Sequence, residues 1–280
     1  MLKTFLINLD RRPDRLDFIK KQLDKLGITF ERVSAIDGNT CSDEQLQFFN
    51  RTKFSLECKR QLVQGEIGCA LSHRLVWQQM VDNQIPYALI LEDDIEIDSR
   101  LTAILSNPQN YQHLDFLNLA IKEPYEINVE AVQACTDNQQ WIRPHFWQSR
   151  RLWQQMENKG KVCWKIFKIH SCGNGIYTCE CNPAPALACC YIISLQAARE
   201  FLSTSENIFY PIDKVWHHSR GLLRQAVLTH RLAEQILDSD IQNRLRFKLT
   251  FWQKIRRFFI KSRHWHRRLA AIRLYGWSRL

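Results

Sequence analysis

Apolar positions in this chain come as short unbroken runs separated by stretches of helical period. The run Thr4–Leu9 reads as a buried strand. It is followed by a helix from Pro13 to Leu26, with Pro at its first position and Gly27 just past its end. "ITFERVSAIDG" predicts a second strand ending in an Asp37–Gly38 turn, and the β-α-β opening points to a parallel, open sheet. Residues 42–64 read as helical and polar. "GEIGCALSHRLVWQQMVDNQ" predicts an amphipathic helix burying Ile67, Leu71, Leu75 and Met80. Strands are expected at Ala88–Leu91, Phe116–Leu119 and Ala188–Ile193, with a helix from Leu195 to Leu202. Residues 122–165 show no period; with Trp141, Phe146, Trp147 and Trp153 among polar residues, they read as loops and short helices that hold an acceptor. The pattern predicts one open, mostly parallel α/β domain over residues 1–240 with flanking helices. A separate tail, 241–280, places Phe247, Phe251, Ile255, Phe258 and Phe259 at helical spacing among basic residues.

Charge sharpens that boundary. Of 39 Lys and Arg, twelve lie after Asp240, where no Asp or Glu occurs, so 27 basic residues face 29 acids in the body. The net charge of +10 therefore belongs to the tail, a basic amphipathic helix suited to an anionic membrane surface. A rival reading has its aromatics and basic groups grip nucleic acid, but the acidic body argues against it. Ten cysteines without a signal-peptide pattern suggest reduced thiols and a cytosolic compartment. Cys172, Cys179 and Cys181 lack the paired C-x-x-C spacing of a typical zinc site.

The chemistry-bearing stretch is "YALILEDDIEID". An apolar run ends in Glu92, Asp93 and Asp94, whose mutual repulsion, about 4 kcal/mol per pair at 4 Å and an effective dielectric near 20, calls for a cation. In extended backbone Glu92 and Asp94 share one face and Asp93 takes the other. Oxygen ligands at the carboxyl end of a strand suit Mg²⁺ or Mn²⁺ bridging a diphosphate. The same acids could serve a metal-dependent phosphohydrolase, or simply be a solvated strand end or cap a following helix.

The ordered set "FLINLDRRPDR", "SAIDG", "GEIGCALSH", "LILEDD", "CYIIS" and "PID" resembles glycosyltransferase family 25, the lipooligosaccharide galactosyltransferases, from Phe5 to Asp213. The resemblance implies a GT-A-like fold, UDP-galactose as donor and Mn²⁺ (or Mg²⁺) held by Glu92 and Asp94. It also implies inversion at the sugar carbon and a lipid-linked oligosaccharide acceptor, which would place the protein on the cytoplasmic face of a bacterial inner membrane. Carried onto this sequence, donor binding falls to Asn8, Arg11, Arg15, Asp37, Gly38, Glu66, Ser72, His73 and Asp93. Asp213 matches the position of a catalytic base, though it also reads as a helix N-cap. "ACCYIIS" departs from the Gly-Thr-x-x-Tyr form frequent in the family.

Overall fold

The computed structural model describes residues 2–120, 157–158, 161–162, 166–236, 246–262 and 265–276. Its central sheet contains β1 (Lys3–Asn8), β2 (Glu31–Ser34), β3 (Tyr87–Glu92), β4 (Phe116–Asn118), β5 (Ile166–Gly173), β6 (Ile176–Cys181), β7 (Cys190–Ser194) and β8 (Gln225–Leu228). Their spatial order is β2-β1-β3-β7-β4-β8-β6-β5. The β-α-β opening makes β2, β1 and β3 mutually parallel, and β4 is parallel to β8. The sheet is mostly parallel, as expected, yet mixed, because β7 runs against both β3 and β4 and β6 runs against β8 and β5. For β5 and β6 the cause is local: Asn174 and Gly175 both have positive φ, the backbone of a two-residue hairpin turn.

Side chains alternate across this sheet and bury two cores. Phe5, Ile7, Ile90, Tyr191 and Ile193 face helices α3 (Gln64–Asp82) and α4 (Leu195–Thr204). Leu6, Leu89, Leu91 and Ile192 face the opposite layer, where α1 (Pro13–Lys25) contributes Ile19 and Leu23. Because both faces are covered, the middles of β1 and β3, residues 5–7 and 88–91, can be unbroken apolar runs, as their sequences are. On α3 the buried stripe runs through Ile67, Ala70, His73, Val76, Trp77 and Met80, while Leu75, expected inside, is 36% exposed. The polar stretch 42–64 is two short helices, Asp43–Leu46 and α2 (Arg51–Cys58). Ser42 and Asn50 cap their starts, and Lys59 ends α2 in the left-handed region.

The described tail forms α5 (Phe251–Ser262) and α6 (Trp265–Tyr275). Phe247 lies before α5, and its N–H donates to the Lys59 carbonyl at 2.9 Å. On α5, Arg257 donates to the Glu57 carbonyl at 3.3 Å, whereas Phe251, Trp252 and Phe258 are each more than two-thirds exposed. On α6, Ala270 and Ala271 are buried, and Tyr275 stacks on Phe167 with ring centroids 4.3 Å apart. The acceptor region expected at 122–165 lies outside the described residues. No described helix is long and apolar enough to cross a membrane.

Candidate active site

A cleft of about 490 Å³ opens beyond the carboxyl ends of β1, β2 and β3, where a ligand site is expected in an open α/β sheet. Arg11, Arg15, Asp37, Gly38, Ser72, His73, Glu92, Asp93 and Asp94 all line it. Sequence positions spread over more than eighty residues thus converge because the parallel register of β2, β1 and β3 brings three strand ends side by side.

The acids do not alternate as expected. β3 ends at Glu92 and the chain turns at Asp93–Asp94, so the pleat no longer dictates their direction and all three carboxylates reach the cleft. Asn8, buried below, donates to Asp93 Oδ2 at 2.6 Å. Arg15 approaches Asp93 Oδ1 at 3.5 Å and Asp94 Oδ2 at 4.0 Å. Gln235, on a short strand (Ala233–Gln235) paired with Ile95–Ile97, donates to Asp94 Oδ2 at 2.6 Å. Asp94 Oδ1 is buried and has no hydrogen-bond partner among the described residues. Burial, then the Glu92 charge, pushes Asp94 up to about 7; burial likewise raises Asp93 despite the Asn8 bond. Three carboxylates sharing one nearby guanidinium keep an unmet demand for positive charge.

The fit to a hard divalent cation follows. Asp94 offers an unused, desolvated oxygen, and the contacts of Glu92 with described side chains fall on Oε1 alone. An all-oxygen pair of this kind suits Mg²⁺ or Mn²⁺.

The facing wall is built by close backbone packing. A Cβ on Gly38 would lie 1.8 Å from the Gln64 carbonyl oxygen, and one on Gly68 would lie 2.4 Å from that of Ile36. These glycines let the 36–40 loop and the start of α3 touch each other. Ser72 completes the seam, accepting from the Ile36 N–H at 2.8 Å while donating to the Gly68 carbonyl at 2.7 Å. Asp37 accepts from Asn39 and from Arg11; the Asn39 backbone bond leads in holding its carboxyl below the usual range.

Besides Asn8, which lies beneath the cleft and reaches it only through Asp93, two expected residues stand apart from the lining. Glu66 is buried in a two-pronged ion pair with Arg60, both contacts 2.5 Å, and so ties the start of α3 to the segment before it. Asp213 sits half-buried on the turn Ile212–Lys214, which packs against α3; its side chain caps no helix there.

Three residues that sequence reasoning passed over complete the site. Trp77 Nε1 lies 3.0 Å from Tyr191 Oη, which lies 2.8 Å from His73 Nδ1, and His73 Nε2 lies 3.0 Å from Glu92 Oε1. The thiol of Cys69, pushed well up by burial first and by the Glu92 charge next, also points at Oε1, at 3.8 Å. Cys69, His73 and Trp77 recur every four residues, a spacing that marks one helical face. Among the described residues these first two and Glu92 make the one Cys/His/acid group whose ligand atoms all lie within 4.8 Å. Cys172, Cys179 and Cys181 form no such group.

The family model described as "Glycosyltransferase family 25 (LPS biosynthesis protein)" matches residues 1–216. A "Glycosyltransferase 25 family member" of Drosophila melanogaster is 34% identical over 140 residues, 47% of this chain and 23% of that protein. The human "Procollagen galactosyltransferase 2" is 31% identical over 137 residues, 43% of this chain and 21% of its own length. The mouse protein of the same name is 37% identical over 101 residues, 34% and 16% of the two chains. The matched segments therefore span less than a quarter of these relatives.

Proposed function

The chain belongs to glycosyltransferase family 25, and from that premise we propose that it transfers galactose from UDP-galactose, with inversion, on a GT-A-like scaffold. The observation that carries the proposal is the buried Asp94 Oδ1, without a hydrogen-bond partner among the described residues, beside Glu92 in a cleft walled by the 36–40 loop and α3. Galactose is favoured as the sugar by the names of the animal relatives.

Glu92 and Asp94 would hold Mn²⁺ or Mg²⁺, which when bound supplies positive charge to a departing nucleoside diphosphate. Asn8 and Arg15 keep Asp93 fixed between the two ligands. Arg11 offers a partly exposed guanidinium to phosphate oxygens, in competition with Asp37. The 36–40 loop shapes the wall against which a nucleoside would rest. An inverting transfer also needs a base for the acceptor hydroxyl. Asp213 lies outside the cleft lining.

For the acceptor we propose a lipid-linked oligosaccharide core, in keeping with the family description and with α5. Arg257 fastens α5 to the body, while Phe251 and Trp252 face solvent with Lys254 and Arg256 beside them. That arrangement suits docking on an anionic bilayer, and the protein would work as a peripheral enzyme at the cytoplasmic membrane surface. A second reading, a collagen acceptor, is favoured by the names of the human and mouse relatives.

The test is a panel of UDP-sugars incubated with the full chain and Mn²⁺, scored for donor hydrolysis and then for transfer to each acceptor class. UDP-galactose should be hydrolysed fastest, and EDTA should stop the reaction reversibly. Release of phosphate from UDP itself, with no sugar preference, would favour a phosphohydrolase instead.

A further inference from the structure

We infer that Trp77, Tyr191 and His73 form a one-way hydrogen-bond chain that fixes the Glu92 carboxylate, making Tyr191 and His73 positioning residues for the cation site; the inference rests on the reading that Glu92 holds the divalent ion. Its direction follows from donor and acceptor inventory alone. An indole N–H can only donate, so Trp77 gives its proton to Tyr191 Oη across 3.0 Å. Tyr191 has one hydroxyl hydrogen, is fully buried, and finds its acceptor in His73 Nδ1 at 2.8 Å. The remaining ring proton then lies on His73 Nε2 and is donated to Glu92 Oε1 at 3.0 Å.

The opposite tautomer fails on two counts. It would point an Nε2 lone pair at a carboxylate oxygen 3.0 Å away, and it would leave the Tyr191 hydrogen without this acceptor in a buried site. The same assignment explains why the Cys69–His73–Glu92 group needs no metal of its own: Nε2 carries a proton and Oε1 already receives it. With Oε1 occupied, Oε2 is the Glu92 oxygen that would be left for a cation.

The anchors are rigid. Tyr191 is paired with Ile90 on one side and Asn118 on the other, in mid-sheet. Trp77 is one helical turn beyond His73 and 1% exposed. A helix and two strands thus set one carboxylate oxygen, an arrangement in which outer partners typically change metal affinity 10- to 100-fold.

The experiment measures Mn²⁺ affinity of the full chain by loss of the free-ion electron paramagnetic resonance signal, in a cycle of Y191F and H73Q. Gln at 73 can keep a donor near the Nε2 position without depending on Tyr191. Y191F alone should weaken Mn²⁺ binding about tenfold with its UDP affinity in EDTA unchanged, and Y191F should add less than twofold to the Mn²⁺ loss on the H73Q background. Equal losses on both backgrounds would mean that Tyr191 matters only for packing, and no loss in Y191F would overturn the chain. Two-bond ¹H–¹⁵N spectra of the metal-free protein, with the His73 signal identified by its absence in H73Q, give a readout independent of the ion. The Nε2–H tautomer is expected in wild type and a mixture in Y191F. An Nδ1–H tautomer in wild type overturns the chain even if Mn²⁺ binds. Absence of Mn²⁺ binding by wild type, with the tautomer as expected, overturns the cation-positioning role and the reading beneath it while leaving the chain's direction standing.

Discussion

Two buried acidic sites in one sheet are treated in opposite ways. Glu180 on β6 is 1% exposed, yet it accepts from Arg224 Nε and Nη2 at 3.2 and 2.7 Å and from the Tyr275 hydroxyl at 2.9 Å. At the end of β3, three carboxylates share Arg15, Asn8, Gln235, His73 and the weak thiol donor of Cys69, and one Asp94 oxygen has no partner among the described residues. A saturated carboxylate has nothing left to offer a ligand and works as a structural tie, here fastening α6 to the sheet. An under-satisfied one is destabilising by itself and becomes favourable only when something positive arrives. Burial alone does not separate the two sites; the donor count does.

The sharpest way to break this contrast is isosteric neutralisation. D94N should cut transfer by at least a hundredfold while circular dichroism and UDP binding in EDTA stay near wild type, because only the cation's ligand is lost. Normal turnover in D94N would remove the metal reading of the cleft. By contrast, E180Q should leave the activity of folded enzyme near wild type and lower unfolding free energy in urea by about 1.5–3 kcal/mol, the usual worth of hydrogen bonds to a charged group. If E180Q instead lost activity at full stability, the β6 site would be more than a tie.

The pH dependence distinguishes the sites further. Asp94 in the folded state is raised to about 7, above its unfolded value near 3.8, so between these values the folded protein binds the extra proton. Its contribution is therefore favourable at low pH and is lost as pH rises from about 4 through 7. In EDTA, wild type should lose stability relative to D94N over that window, by no more than about 4 kcal/mol. Thermal melts of the pair at pH 5 and pH 8 would show it, and a constant difference would contradict the strained-acid picture.

Smaller effects are expected away from the cleft. D213N should reduce transfer less than tenfold, since its carboxylate lies outside the described lining; a hundredfold loss without loss of UDP binding would restore the base role. W252A should weaken flotation of the full chain with anionic liposomes severalfold at low salt while leaving donor hydrolysis unchanged, and equal flotation would take α5 out of the membrane contact.

Several of the main elements were legible because a buried strand in a covered sheet must be apolar and a helix over a core must repeat every three to four residues. The strand ending in Glu92, the helix ended by Gly27 and the N-terminal β-α-β unit all follow from that constraint. The β5–β6 hairpin was legible too, in Asn174–Gly175, but a reading based on apolar periodicity passed over it. Leu75 was misplaced because the face of α3 is set by His73 and Trp77, which a count of aliphatic residues ignores.

What sequence alone determined is the inventory: which strand carries the acids, which motifs belong together, and that three carboxylates gather where that strand ends. Tertiary structure decided who satisfies whom. Whether Glu66 meets a ligand or Arg60, whether Gly38 and Gly68 face a substrate or each other, and which oxygen of Glu92 is already taken depend on contacts between distant segments. The physical reason is that periodicity reports the solvent exposure of each residue along its own element, whereas a hydrogen bond depends on the distance and direction between two elements, fixed only when the sheet register and helix packing are in place.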